Sequence, residues 1–535
     1  MTNKQMSQTK DGAFNPATHS PFFILFEQDR VPSPEERRTI QELLAEKKSH
    51  LAYLNSQVPK RRSGKKLTVP RELRLELDYT RRFIKFHRTL ISPWRRLPVE
   101  IMSEIFLFTL KSRNGGNIID EDGVWIDDRP GTLLLCKVCS AWRAVAIGTP
   151  ALWNTLSLTA NYVRRRPLDW VSIWLDRSRS FPVHLQLFWD NEVLPNIVFS
   201  ALSKFASHLD HTVELAIDGM GHYIDYPYPR LAIRRPVKSP EAPLLSSLSV
   251  NLHPPPGSLW DWIYAVYQAA PRLTHLTTTH FPLESFPVAN LTDLDLVHPV
   301  PMSLVFQIFE HASNLTKICF DVDGPAVKSS ARSLLGMKSI TSMEITSHHH
   351  MGEFLEQTEF PSLVKLHILQ IGPWPVAELH SFLSRSSCAL AILDLLECDV
   401  SQEDIIACLQ HKACNTLETL FVRKCYPPAA DALLQYLTYD GPGDQLWNPN
   451  LRAIDLQYIH AADGLLSALV ESRLSTTLSR LPSSQPPPVC LNLVVFCFTD
   501  HDYARIHLED WKRLREMEEI TDDLDIIWPG DELCM

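Results

Sequence analysis

Cysteine and histidine are the residues of this chain whose types and spacing could do chemistry. Cys136 and Cys139 form a Cys-x-x-Cys pair, the spacing of half a zinc site or of a redox dithiol. No second pair follows at zinc-finger distance, and the pair falls in an apolar, helix-periodic run whose buried face would use Cys139. Other cysteines, among them Cys319, Cys388, Cys398, Cys408, Cys414, Cys425, Cys490 and Cys497, sit singly on apolar segments. Reduced core thiols do the same, so the eleven cysteines point to a reducing, intracellular compartment, cytoplasmic or nuclear. His348-His349-His350 is the one histidine cluster, but consecutive residues of an extended segment point to opposite faces and cannot easily share a metal. It follows Met343 to Ile345, where a polar turn is expected. Arg164-Arg165-Arg166 reads as a solvated turn, and the sequons at Asn290 and Asn314 overlap predicted strands. Neither a P-loop nor a GxGxxG pattern occurs, and only 18 glycines are available. A Gly-x-Ser-x-Gly elbow and a His-Glu-x-x-His helix are missing as well. The residues therefore support no catalytic group, no metal and no cofactor, and the chain is expected not to be an enzyme.

Composition leads the same way. The 535 residues suffice for two or three domains, and 45% hydrophobic with 21% charged residues is ordinary for a globular protein. A formal net charge of −10 gives no basic face for nucleic acid. No stretch approaches the roughly 20 apolar residues of a membrane span, and the polar N-terminus lacks a signal-peptide centre. What remains is binding chemistry, carried by apolar stripes.

Two short amphipathic segments carry the sharpest of these stripes. In Leu97-Pro98-Val99-Glu100-Ile101, Pro98 suits a first helical turn and Glu100 complements its dipole. Ile101, Ile105 and Phe108 then repeat at helical spacing, with Met102 and Phe106 alongside. The second segment repeats the device through Leu135, Val138, Cys139 and Trp142, and Gly148 and Pro150 stop it. Between them, Lys111 to Thr132 is rich in Gly, Asn and Asp and reads as a solvated loop. So small a unit buries one side of each helix, and leftover apolar side chains form a docking surface.

Three blocks in order, Leu97-Pro98-x-Glu100-Ile101-x-x-x-Ile105-Phe106, Val138-Cys139-x-x-Trp142-Arg143 and Pro150-x-Leu152-Trp153, make this stretch resemble an F-box, in the F-box-like form of large fungal families. The resemblance covers roughly 60 residues. It implies three helices that dock on a Skp-type adaptor protein, and through it on a cullin-based ubiquitin ligase. Carried over by residue, it implies adaptor contacts at Leu97, Pro98, Ile101, Ile105, Phe106, Leu135, Val138 and Trp142. Leu152 and Trp153 are expected to pin the domain to the first repeat. The departure from the pattern is the acidic insertion, which would favour a non-ligase scaffold if it covered the docking face.

Upstream, Ser33-Pro34-Glu35-Glu36 announces a helix by N-cap, first-turn proline and capping box. Ile40, Leu43, Leu44, Leu51 and Leu54 continue it; Leu73, Leu77, Phe83, Ile84 and Leu90 build a second helix beyond the basic link Lys60 to Lys66. The pair reads as an antiparallel hairpin or a short coiled coil, and the link as a solvated linker or an import signal. Residues before it, with a short aromatic run at Phe22 to Phe26, are expected to be disordered or loosely attached.

Downstream, after strands at Val183 to Phe188 and Val213 to Ile217, a unit apolar-x-x-apolar-x-apolar keeps returning. It runs from Leu245-x-x-Leu248-x-Val250 through Leu315-x-x-Ile318-x-Phe320 and Leu390-x-x-Leu393-x-Leu395 to Leu451-x-x-Ile454-x-Leu456, nine times at steps of about 18 to 34 residues. Such spacing is that of degenerate leucine-rich repeats, whose usual Asn or Cys after the strand is mostly absent. Alternating apolar residues make one short strand, and segments such as Ala377 to Leu383 or Ile405 to Leu409 return as helices. A last strand at Leu491 to Phe498, a helix over Tyr503 to Glu518 and an acidic tail close the chain. Tyr223 to Pro243, Asp440 to Pro449 and Pro482 to Pro488 read as loops.

The expected fold is α+β: an N-terminal helical hairpin and a three-helix F-box, followed by an α/β leucine-rich-repeat-like solenoid. The domains fall at 1–32 (disordered), 33–92 (helical leader), 93–158 (F-box-like, insertion 111–132), 159–500 (substrate-binding solenoid) and 501–535 (helix and acidic tail). The expected role is substrate-recognition adaptor of a Skp–cullin–F-box ligase. It would hold an unknown protein substrate on face positions such as Thr274, Thr292, Lys317, Lys365 and Glu418, without nucleic acid or membrane.

Overall fold

The computed structural model describes residues 14–28, 30–58, 70–111, 131–159, 169–189, 195–219, 241–252, 257–280, 288–324, 334–347, 351–439, 447–474, 490–498, 507–521 and 524–527. The basic link, most of the acidic insertion, Arg164 to Arg166, the histidine triplet and the proline-rich 482–488 segment lie outside them. The chain divides into two compact units, Met1–Trp153 with Arg177–Arg179, and Asn154–Asp176 with Ser180–Met535. Among the described residues no helix is long and apolar enough to cross a membrane.

The first unit is helical. Ser33 and Glu36 form the expected capping box of α3 (Pro34–Ser56): the Glu36 N–H donates to Ser33 Oγ at 3.2 Å, and the Ser33 N–H to Glu36 Oε2 at 2.8 Å. Ile40 and Leu44 of α3 pack with Ile84 and Leu90 of α4 (Arg71–Leu90) in one cluster. The expectation of a disordered N-terminus is corrected over residues 14–28. They form α1 (Pro16–His19) and α2 (Phe23–Glu27), and Leu25 joins the same cluster. The reason is a buried histidine. His87 of α4 is fully enclosed, burial lowers its pKa, and its Nε2 meets Ser20 Oγ at 2.9 Å. Phe14 closes edge-on over Phe83, ring centroids 5.4 Å apart.

Three helices follow: α5 (Val99–Lys111), α6 (Gly131–Val138) and α7 (Ser140–Gly148). The Pro98 carbonyl accepts from the Met102 N–H at 3.0 Å and closes the first turn of α5. The second expected helix is in fact two. Cys139 is extended, and its Sγ accepts from the Trp142 N–H at 3.4 Å, so it caps α7 instead of lining a buried face.

Among the described residues, the second unit is built on one parallel sheet of fourteen strands lying in chain order. These are β1 (Thr155–Thr159), β2 (Val183–Trp189), β3 (Thr212–Gly219), β4 (Ser247–Leu252), β5 (His275–Thr278), β6 (Asp293–Pro301) and β7 (Lys317–Asp323). They continue as β9 (Ser342–Thr346), β11 (Lys365–Leu369), β12 (Ile392–Leu396), β13 (Thr419–Arg423), β14 (Ala453–Ile459), β15 (Leu493–Phe498) and β16 (Asp525–Ile527). The short β8 (Leu335–Gly336) and β10 (Thr358–Glu359) pair apart from it. Each expected apolar unit supplies a strand, and register stacks its residues in columns. One column runs Leu248, Leu276, Leu294, Ile318, Met343, Leu366, Leu393, Leu420 and Ile454, all buried. Burying each such side chain is worth about 1.5 to 3 kcal/mol. Helices between the strands, Met302–His311 and Val376–Ser386 among them, add Phe309, Phe382 and Leu383 to the same core.

Two boundaries move. The expected domain end at 158 is corrected to Trp153, because β1 pairs with β2. The tail is likewise no separate segment over its described part: helix Leu508–Ile520 and β16 extend the second unit, with Leu514, Leu524 and Ile526 in its core.

Hydroxyls and thiols tie successive strands together. Thr274, Thr292, Thr316 and Thr341 each donate Oγ1 to the equivalent carbonyl of the preceding strand segment, at 3.3, 3.2, 3.0 and 3.3 Å. At the other strand end, Cys398 Sγ donates to the Ile368 carbonyl and Cys425 Sγ to that of Leu395. Gln370, Glu397 and Lys424 just after their strands hold left-handed φ of 49, 56 and 53°. Each such residue costs about 1 kcal/mol, and each aims its N–H at the next strand's carbonyl, at 2.9, 2.9 and 3.0 Å.

Candidate functional site

Within the helical unit, α5 carries two apolar stripes. Met102 and Phe106 turn inward: they are 4% and 1% exposed, and Phe106 packs against Trp142 with centroids 4.9 Å apart. Cys136, Ala146, Leu152 and Trp153 complete this interior. Its polar groups are satisfied internally. The Trp153 indole N–H donates to the Ala146 carbonyl at 2.8 Å, Arg143 Nε to that of Cys136 at 2.8 Å, and Thr132 Oγ1 to that of Leu152 at 2.9 Å. Trp153 is thus anchored inside its own unit.

The second stripe, at i, i+4 and i+7, is Ile101, Ile105 and Phe108. Ile101 is 48% and Phe108 73% exposed, with Ile105 half-buried. Leu134 and Val138 on α6 are 60% and 55% exposed, and Val99 at the start of α5 is 59% exposed. Of the eight expected contacts, Pro98, Ile101 and Val138 face outward, while Leu97, Ile105, Leu135 and Trp142 are half-buried. Phe106 is corrected: it belongs to the core and offers no side chain to a partner. Phe108 and Leu134 stand outside the expected set although both are exposed, and Phe108 continues the Ile101 period by one further turn.

The cysteine pair resolves into two unlike thiols. Burial pushes the Cys136 thiol up, whereas Cys139 is exposed and engaged as a cap. Asp463, His507 and Asp510 gather at metal-ligand distance in the second unit, a grouping without sequence signal. Their carboxylates serve two helix starts. Asp463 accepts from the N–H groups of Glu509 and Asp510, both at 3.0 Å, and Asp510 accepts from that of Ser467 at 2.7 Å. Two positive helix ends converge there, which is a poor seat for a cation.

On the sheet, side chains alternate between the apolar columns and an outward face. Lys317 and Lys365 are exposed on that face, as expected; Thr274 and Thr292 spend their hydroxyls on the strand ladder. Its central column runs Asp295, Cys319, Glu344, His367, Asp394, Phe421 and Asp455. Burial raises the pKa of Asp295 and pushes Asp455 up to about 6. Burial would raise Asp394 too, but hydrogen bonds from His367 (3.0 Å) and Arg423 (2.6 Å) outweigh it and hold the carboxyl below its ordinary range. Four of the seven residues of this column are thus acidic.

Against known proteins, no family model matches the chain, and no curated protein matches it in sequence.

Proposed function

We propose that this protein is the substrate-holding subunit of a Skp–cullin–F-box-type ubiquitin ligase, with α5 to α7 as an F-box-like docking domain and the fourteen-stranded unit as a leucine-rich-repeat-like solenoid. The observation that carries the reading is the division of α5. Its Met102–Phe106 stripe completes a core, so the stripe of Ile101, Ile105 and Phe108 is left over for a partner, and of these Ile101 and Ile105 stand where the family pattern places adaptor contacts. Supporting the repeat reading, Cys398 and Cys425 occupy the position after the strand where such repeats carry Asn or Cys, and both thiols bond the preceding strand. The chain would work by proximity, raising the local concentration of substrate lysines near a charged conjugating enzyme, and would contribute no catalytic group.

The test is a pull-down of the full chain with a purified Skp-type adaptor, beside a variant carrying Ile101→Ala, Phe108→Ala and Val138→Ala. Capture of the parent and loss in the variant, with helix content unchanged, is the expected result. Equal capture of both would remove the docking face from the account. No capture of either would leave a scaffold without ligase assembly.

A further inference from the structure

We propose that the cavity between α3 and α4 is a binding site for a phosphate monoester, its dianionic head held by Arg81, Lys85 and Arg88 and its apolar body resting on Leu51 and Ile84. The site depends on neither the docking face nor the sheet.

At the edge of the hairpin core, Ile84 is buried and Leu51 half-buried. Beside these two side chains lies a cavity of about 430 Å³, open to solvent and within the range of about 300 to 1,000 Å³ usual for small-molecule sites. On α4, Arg81, Lys85 and Arg88 follow one another at i, i+4 and i+7, so they stand on one face and line the same cavity. Thr89 and Ser92 complete the lining. All three cations are exposed, and no carboxylate lines the space they share. In a chain with 62 acidic against 52 basic residues, such a cavity runs against composition.

The fold makes little use of these charges. Among the described residues, Lys85 and Arg88 have no ion pair and no side-chain hydrogen bond. Arg81 makes one long bond, from Nη2 to Asn55 Oδ1 at 3.4 Å. Asp78, one turn before Arg81, is held by Arg82 Nε at 2.8 Å. Arg88 lies in the last turn, where a cation favours the helix dipole, but Arg81 and Lys85 stand too early to gain from it. Like charges at i and i+4 oppose the helix. The stripe is therefore an internal cost that a bound anion offsets.

Charge and shape select the ligand. A carboxylate brings one negative charge, whereas a phosphate monoester brings about −1.5 to −2 at neutral pH and three acceptor oxygens. Arginine supplies the fork and lysine the point charge that such a head takes. Arg81 and Arg88 are about 10.5 Å apart along the helix axis, with Lys85 between them, a span that three long side chains can close around one head. Phosphate alone would leave Leu51 and Ile84 bare, and an ester of a small apolar alcohol or phenol covers them.

The probe is phenyl phosphate, followed by the width of its phosphorus NMR signal as the full chain is added at pH 7.5 and about 150 mM salt. Saturable broadening is expected with the parent. Lys85→Gln combined with Arg88→Gln gives up no internal partner, so helix content should hold while binding weakens about tenfold or more. Arg74→Gln, exposed on the same helix but outside the cavity, should leave binding unchanged. Inorganic phosphate and phenyl sulfate, tested by competition, should each bind about fivefold or more weaker, the first for want of the apolar body and the second for want of the second charge. No broadening with the parent, an undiminished response in the double variant, or an equal loss in Arg74→Gln would overturn the proposal. So would inorganic phosphate or phenyl sulfate binding as tightly as phenyl phosphate, since the cavity would then attract anions in general. The assay contains no adaptor and no protein substrate, so its failure leaves the proposed ligase role standing.

Discussion

The two units treat their surfaces in opposite ways. The helical unit ties polar groups such as the buried Trp153 indole and the exposed Arg143 side chain to its own carbonyls, and leaves Ile101, Phe108, Leu134 and Val138 in water. The sheet unit hides its apolar columns and turns charged groups outward, several of them half-buried. The helical unit offers contact energy that is non-directional and indifferent to salt, the sheet unit discrimination by charge. On the proposed reading, in which one unit meets a constant partner and the other a variable one, both are needed, and each can be broken by itself.

The largest break lies within one helix. Phe106→Ala should destabilise the helical unit by about 3 to 5 kcal/mol, while Phe108→Ala, two residues on, should stay within about 0.5 kcal/mol of the parent. Denaturant unfolding followed by the fluorescence of Trp142 and its neighbours measures the difference; equal losses would mean that α5 does not divide as described. The next break is on the sheet. Asp394→Ala leaves Arg423 without its carboxylate at a cost of about 3 kcal/mol. Because the folded-state pKa of Asp394 is depressed, the stability it contributes is present at neutral pH and disappears as pH falls below the ordinary aspartate value of 3.8. A parent and variant whose stabilities fail to converge in acid would contradict this.

On the proposed docking reading, Phe108→Ala should weaken adaptor capture by about 2 kcal/mol, a loss that calorimetry at 50 and 500 mM salt should find nearly unchanged. Asp455 should behave opposite to Asp394. Its folded-state pKa lies raised at about 6, so the protonated form favours folding, and stability falls as pH rises from the ordinary aspartate range through 6. Asp455→Asn should therefore stabilise the chain by about 1 to 2 kcal/mol at pH 7.5 and have little effect at pH 4; thermal melts at the two pH values decide. Smallest of all, Ser33→Ala should cost about 1 kcal/mol by opening the capping box, with the loss confined to the α3–α4 hairpin in hydrogen exchange.

Much of this was legible from spacing. The apolar units from Leu245 to Leu456 name their strands, because two apolar residues separated by one commit a short segment to one buried face. The box at Ser33 is a local device and needs no partner. What escaped depends on distant contacts. β1 carries Leu156 and Leu158 without a full apolar unit, and β16 is three residues long, so only the waiting edge of a neighbour makes them strands. Residues 14–28 are held by Ser20 meeting His87, 67 positions away. On α5, apolar residues surround so much of the helix that period alone cannot tell the Phe106 stripe from the Phe108 stripe. The break at Cys139 has no glycine or proline to announce it.

The order of the sheet bears on how the protein is made. Every strand lies beside the one synthesised just before it in that ladder, so the template for each pairing has already left the ribosome when the new segment arrives. Every described strand of that ladder after β1 finds one edge already formed, whereas the short β8 waits for β10, which is translated after it. A long parallel sheet, usually slow to form and prone to aggregate, is in this arrangement laid down one course at a time.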